Sequence, residues 1–126
     1  MNVVPFNWTI AKHNLELVRN DSHTLQINLG FLCNQQCRHC HLNAGPGRRE
    51  NMDLETVEEV VKYAERNDFE TIDITGGAPE LNPNLGYLIE KISPFASRIM
   101  LRSNLSVMKD KLGDLVDLLK SYRVVT

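Results

Sequence analysis

Apolar and polar residues alternate along the chain in two rhythms, and the switches between them mark out its elements. In "TLQINLG", residues 24–30, Leu25, Ile27 and Leu29 fall at period two, the mark of a half-buried strand. "MDLETVEEVVKYAERND" changes to helical spacing, with Asp53 as N-cap, acids in the first turn, and Leu54, Val57, Val61 and Ala64 on one face. "FETIDIT" reads as a second strand stopped by Gly76 and Gly77, and "NLGYLIEKIS" as a helix halted before Pro94. "SRIMLRSN" predicts a third strand. "KDKLGDLVDLLKSYR" predicts a third helix, with Leu112, Leu115, Val116 and Leu119 at helical spacing, and "VVT" opens like a fourth strand. There is no internal repeat and no low-complexity segment.

Strand, helix, strand, helix, strand, helix, strand is the order of βαβ units. It predicts an α/β fold with a parallel sheet and helices over one or both faces. An α/β barrel, open or closed, fits about three and a half such units. The barely started last strand is expected to make this the N-terminal portion of a larger barrel, truncated at the fourth strand, with an edge that further chain would cover. Residues 1–22 carry no clear rhythm and are expected to be an extension, with the core at residues 23–126.

Composition narrows the class. At 126 residues the chain can bury a core without disulfide staples. A net charge of −2 offers no basic excess for a nucleic-acid or polybasic membrane partner. No apolar run approaches the roughly 20 residues that span a bilayer, and no charged n-region precedes an apolar one, so a cytoplasmic protein is expected.

In α/β folds ligands gather where strands end and the following loops begin. The first of these loops, "GFLCNQQCRHCHLNAGPG", holds all three cysteines, Cys33, Cys37 and Cys40. An odd number of closely spaced thiols in a reducing compartment points to metal rather than to disulfides. A [4Fe-4S] cluster normally takes four thiolates; three would leave one iron open to a small molecule. Two other metal readings stand beside it. With His39 or His41 the cysteines could close a Cys3His zinc site, and "CRHCH" matches the C-x-x-C-H signature of haem attachment, although that leaves Cys33 unexplained.

The second loop, "ITGGAPELN", could be a simple turn. Its glycines could also let main-chain carbonyls approach a ligand with no Cβ in the way, and carbonyl oxygens there suit an ammonium group. Glu80 could add negative charge or be solvated. Beside an open iron, such a loop fits a ligand with an amino-acid head and a cation, as S-adenosylmethionine (SAM) has.

Cys33-x3-Cys37-x2-Cys40 after the first strand, with Gly76, Gly77, Ala78 and Pro79 after the second, resembles the radical SAM enzymes. More narrowly, "NLGFLCNQQCRHCHLNAGP" and "IDITGGAPELNP" resemble the arsenosugar biosynthesis radical SAM proteins, from about Leu25 to the C-terminus. The resemblance implies a partial (βα)6 barrel whose three cysteines bind a [4Fe-4S] cluster, with reduction cleaving SAM to methionine and a 5′-deoxyadenosyl radical. It further implies a small-molecule substrate, dimethylated trivalent arsenic, and an electron donor such as flavodoxin or ferredoxin. By position, Gly76, Gly77 and Ala78 would meet the methionine ammonium. His39 stands where many members carry an aromatic and could pack beside adenine. Ala78 stands where many carry glutamate, which leaves Glu80 as a candidate substitute. Ser103 and Asn104, ending the third strand, are the available contacts to the adenosine. His41, Arg48 and Arg49 could supply polar contacts nearby, or be solvated.

Overall fold

The structure is a computed structural model that describes residues 4–107 and 112–126. Three parallel strands, β1 (Thr24–Asn28), β2 (Thr71–Thr75) and β3 (Arg98–Leu101), lie side by side in chain order. Helix α2 (Leu54–Glu65) joins the first two and α3 (Leu85–Ile92) joins the second and third, while α4 (Leu112–Ser121) follows β3. The sheet is therefore the open parallel array of an α/β fold. After α4 the chain returns to lie parallel to β3: Leu101 N–H donates to Val125 O at 2.8 Å and Val125 N–H to Ile99 O at 3.0 Å. The expected fourth strand thus exists as a single bridge. The first turn expected of the last helix, residues 109–111, lies outside the described residues.

Register explains the core. Leu25, Ile72 and Ile99 stand abreast, as do Ile27, Ile74 and Leu101, so one face of the sheet carries rows of aliphatic side chains. All but Leu25 join Val57 and Ala64 of α2, Leu85, Leu88, Ile89 and Ile92 of α3, and Leu119 of α4 in one buried cluster, against which the half-buried Leu25 packs. Each such side chain contributes roughly 1.5–3 kcal/mol on leaving water. Asp53 caps α2 as expected, its Oδ1 accepting from Thr56 N–H at 2.9 Å. Leu54, expected on the buried face, is instead exposed. It lies in the first turn, just past the N-cap, and the turn from Val57 onward makes the contact with the sheet.

The opposite face of the sheet is polar. Gln26 Nε2 donates to Asp73 Oδ2 at 3.0 Å, and Arg102 grips the same carboxylate with Nε and Nη2 at 2.7–3.1 Å. The guanidinium bond, more than the glutamine, holds the Asp73 carboxyl below its ordinary range. Ahead of β1, residues 6–12 form a helix that the pattern does not predict, α1 (Phe6–Lys12), with no buried residue. Seven residues are too few to display a helical period. Phe6, Trp8, Leu15, Leu17 and Val18 in this region are all exposed.

One side chain sets the spacing of the elements around the strand ends. Asn82, 4% exposed, donates from Nδ2 to Leu29 O at 3.2 Å, Asn51 Oδ1 at 3.0 Å and Met52 O at 2.9 Å. Its Oδ1 accepts from Asn84 N–H at 2.8 Å, just ahead of α3. It therefore pins the end of β1, the approach to α2 and the start of α3 to one point. Asn82→Ala removes a donor that Leu29 O, Met52 O and Asn51 Oδ1 share, leaving Leu29 O to Met52 N–H and Met52 O to Asn84 Nδ2, and unties Asn84 N–H; it should destabilise the fold by about 1–3 kcal/mol. Urea unfolding should show a lower midpoint with an unchanged slope; an unchanged midpoint would remove Asn82 from this role.

Candidate functional site

The loops after the three strands meet at one end of the sheet. Cys33 and Ala44 of the first, Ala78 of the second and Val107 of the third form a small apolar cluster, with Phe31, Cys40, Leu42 and Leu81 packed against it. This cluster is separate from the main core, and it brings together the stretches singled out in the sequence.

The cysteine loop is pinched at its neck by the main chain. Gly45 N–H donates to Phe31 O at 3.1 Å, and Cys33 N–H to Gly45 O at 3.2 Å. Inside, Cys40 N–H donates to Cys37 O and Asn43 N–H to Cys40 O, so the loop turns twice in succession. The three thiols are free; Cys33 is buried, Cys40 half-buried and Cys37 exposed. The Cys33 sulfur accepts from Gln35 N–H at 3.4 Å and from Asn104 Nδ2 at 3.7 Å. Backbone N–H groups of Ala44, then Leu42, hold the Cys40 thiol below its ordinary value, against a smaller upward push from desolvation. Donors turned toward sulfur favour thiolate, the form that binds metal.

The glycine loop lies along the root of the cysteine loop. Gly77 N–H donates to Gly30 O and Ala78 N–H to Leu32 O, both at 2.9 Å. The approach is so close that a Cβ on Gly77 would stand 2.5 Å from Leu32 O. Gly76 has φ +155°, which an L side chain rarely adopts. The glycine pair is thus required by loop-to-loop packing, a reason that neither the turn nor the ligand reading contains. Among the described residues no hydrogen bond ends on the carbonyls of Gly76 or Gly77.

Glu80, expected at the surface or on a ligand, is 3% exposed. One of its carboxylate oxygens accepts from Ser103 Oγ, while Oε2 is buried with no partner among the described residues. An orphaned carboxylate oxygen at this rim fits a missing cationic or hydrogen-bonding group. Asn104 sits in a net with the cysteine loop: Nδ2 donates to Asn34 Oδ1 at 3.0 Å, and Asn34 Nδ2 donates to Ser106 Oγ at 2.7 Å. His39, His41 and Arg49 are exposed. Arg48 is committed locally, bonded to Glu50 and Asn43 O and lying 4.8 Å from the Phe31 ring. That bond draws the Glu50 carboxyl down to about 2.

Among the described residues, no group of three or more His, Cys, Asp or Glu side chains is gathered as a single metal ion would require. A cubane cluster is larger than one ion, and thiolates on separate turns of a loop can stand around it. The donor set passes a chemical test for such a cluster: three free thiols, N–H donors on one sulfur and beside another, and an unpartnered buried carboxylate oxygen on the same rim. Asn82, Asn34 and Ser106 escape sequence reasoning, since a polar residue in a loop carries no periodic signal.

An open parallel sheet with a thiol loop and a glycine loop meeting at its strand ends defines an α/β protein, the class of fold in which ligands gather at that rim. The chain belongs to the radical SAM superfamily, whose family model matches residues 27–126. Among curated relatives, a Pyrococcus abyssi protein named "Probable GTP 3′,8-cyclase" is 29% identical over 80 residues, which is 64% of this chain and 26% of the relative. The Bacillus subtilis "Putative peptide biosynthesis protein YydG" is 35% identical over 83 residues, with the same shares. A "Probable GTP 3′,8-cyclase" from Thermoplasma volcanium is 32% identical over 72 residues, 57% of this chain and 22% of that one. The chain spans about a quarter of the length of these relatives. Among the described residues no helix is long and apolar enough to cross a membrane.

Gly77→Ala tests the packing of the two loops. The new Cβ meets backbone atoms of Leu32 and Phe31, none of which can swing away, and overpacking of this kind costs about 1–3 kcal/mol. Gly47→Ala is the control, since a Cβ there meets nothing within 4 Å. Thermal melting should show a loss for the first variant alone; equal melting would mean that the loops can part without cost.

Proposed function

We propose that this chain is the cluster- and SAM-binding portion of a radical SAM enzyme, with residues 1–22 as an extension and residues 23–126 as the core. The observation that carries the reading is the thiol loop packed against the glycine loop, on the rim where the strands end. Cys33, Cys37 and Cys40 would hold a [4Fe-4S] cluster. Bound there with SAM, it would supply the electron that cleaves SAM into methionine and a 5′-deoxyadenosyl radical.

The protein's own contribution is binding and orientation. The N–H groups of Ala44 and Leu42 favour the thiolate of Cys40, and Gln35 N–H orients the Cys33 sulfur. The unpaired carbonyls of Gly76 and Gly77 offer acceptors to the methionine ammonium, and the unpartnered Glu80 oxygen offers further negative charge. Glu80 takes the part left open by Ala78, while Ser103 holds its other oxygen in place. His39, exposed on the thiol loop, is free to pack beside adenine, and Ser103 and Asn104 lie where the adenosine would extend.

For the substrate, the close likeness of the two loops to the arsenosugar biosynthesis proteins supports adenosyl transfer to dimethylated trivalent arsenic, with flavodoxin or ferredoxin as electron donor in the cytoplasm. A second reading keeps the radical chemistry and changes the substrate. The names of the Pyrococcus and Bacillus relatives favour it, since they point to GTP cyclisation and to peptide biosynthesis.

Anaerobic reconstitution with iron and sulfide should give a brown protein with about four irons per chain, lost in Cys33→Ala, Cys37→Ala and Cys40→Ala. The EPR spectrum of the reduced protein should change on addition of SAM. A colourless protein with one zinc, lost on replacing His41, would overturn the cluster reading in favour of a Cys3His site. With a cluster in hand, incubation with dimethylarsinous acid, GTP or a peptide tells the substrate readings apart by mass of the product.

A further inference from the structure

Asn104 is held more firmly than an exposed turn residue needs to be. Ser106 N–H donates to its Oδ1 at 3.0 Å and Ser106 Oγ to the same oxygen at 2.8 Å. A backbone N–H can only donate, so the carboxamide oxygen must face Ser106 and the NH2 must face the cysteine loop. That NH2 has two acceptors there, Asn34 Oδ1 at 3.0 Å and the Cys33 sulfur at 3.7 Å. Between Asn104 and Ser106, Leu105 adopts φ +62°, a left-handed conformation that a leucine rarely takes. Its N–H is bonded to Ser103 Oγ at 2.8 Å. The turn therefore keeps a strained backbone that turns one amide to Asn34 Oδ1 and to the Cys33 sulfur.

We infer that Asn104 is a positioning residue for Cys33, whose side-chain N–H···S bond raises the reduction potential of the cluster held there. The inference rests on the proposed reading of Cys33 as a cluster ligand. Together with Gln35 N–H, it gives this sulfur two donors from two different loops. A reduced cluster carries one more negative charge than an oxidised one, and donors to a ligand sulfur stabilise that charge. The amide thus favours the reduced state. Asn104 acts on the cluster side of the site, in addition to any contact with adenosine, and it couples the end of β3 to the thiol loop.

The test is a redox titration of the reconstituted protein, followed by EPR. Asn104→Ala removes the donor, and the ratio of reduced to oxidised cluster at a fixed potential should fall about tenfold, ~59 mV for one electron. Asn104→Asp keeps the shape and replaces the donor with a carboxylate, so it should lower the potential at least as far. Ser106→Ala loosens the tether between the loops but leaves the N–H of Ser106 on Asn104 Oδ1, and the potential should stay within about twofold of the parent ratio, ~18 mV. Should Asn104→Ala fail to load iron, Asn104→Asp decides the matter. Normal iron loading with an unchanged potential in the Asn104 variants would overturn the inference and leave Cys33 a ligand. An equal fall in Ser106→Ala would also overturn it, since loop order alone would then set the potential. Absence of a cluster in the parent protein, in contrast, would overturn the reading of the cysteines themselves.

Discussion

Two backbone hydrogen bonds, from Gly77 N–H to Gly30 O and from Ala78 N–H to Leu32 O, tie the loop after β2 to the root of the thiol loop. They continue the pairing of β1 with β2 beyond the strands, so the thiol loop starts from a fixed direction instead of hanging free. The bonds form only because Gly77 has no Cβ, which would stand 2.5 Å from Leu32 O. A loop of fifteen or so residues with no regular structure would otherwise carry a large conformational entropy. Here it is fixed at its neck by Gly45, at its root by the glycine loop, and from beneath by the small apolar cluster.

That constraint gives the rim its chemical character. The backbone N–H groups of Gly77 and Ala78 are spent on carbonyls of the thiol loop, the carbonyls of Gly76 and Gly77 accept no hydrogen bond among the described residues, and Glu80 is buried. Negative and acceptor groups therefore collect on the glycine side, while thiols with N–H donors collect on the other. A ligand with a cationic head and a metal-chelating end suits such a division. The polar face of the sheet, with Asp73 gripped by Arg102 and Gln26, continues that polarity inward from the rim.

Much of the frame was legible in the sequence because its signals are periodic or local. Leu25, Ile27 and Leu29 announce a strand by alternation, and Asp53 announces a helix start by its position ahead of acidic residues. Cys33, Cys37 and Cys40 are visible because thiols are scarce. Where a residue's role depends on distant partners, the pattern is silent. Asn82 joins residues 30 and more positions away, and Asn104 meets Cys33 across 71 positions of chain. Gly77 was recognisable as special, yet the reason, its contact with Leu32, emerges only from the packing. Leu54 misled because a helical face read from spacing does not say where along its length the helix first touches the sheet. The short α1 left no period to read.

Held by three thiolates alone, a cluster would keep one iron open to SAM, beside a glycine loop that would receive its ammonium. Mössbauer spectroscopy of protein reconstituted with iron-57 reads that iron directly. On addition of SAM, one of the four irons should acquire an isomer shift distinct from the other three, as expected when it gains nitrogen and oxygen ligands. Four irons that remain equivalent with SAM present would mean that no iron is open to it.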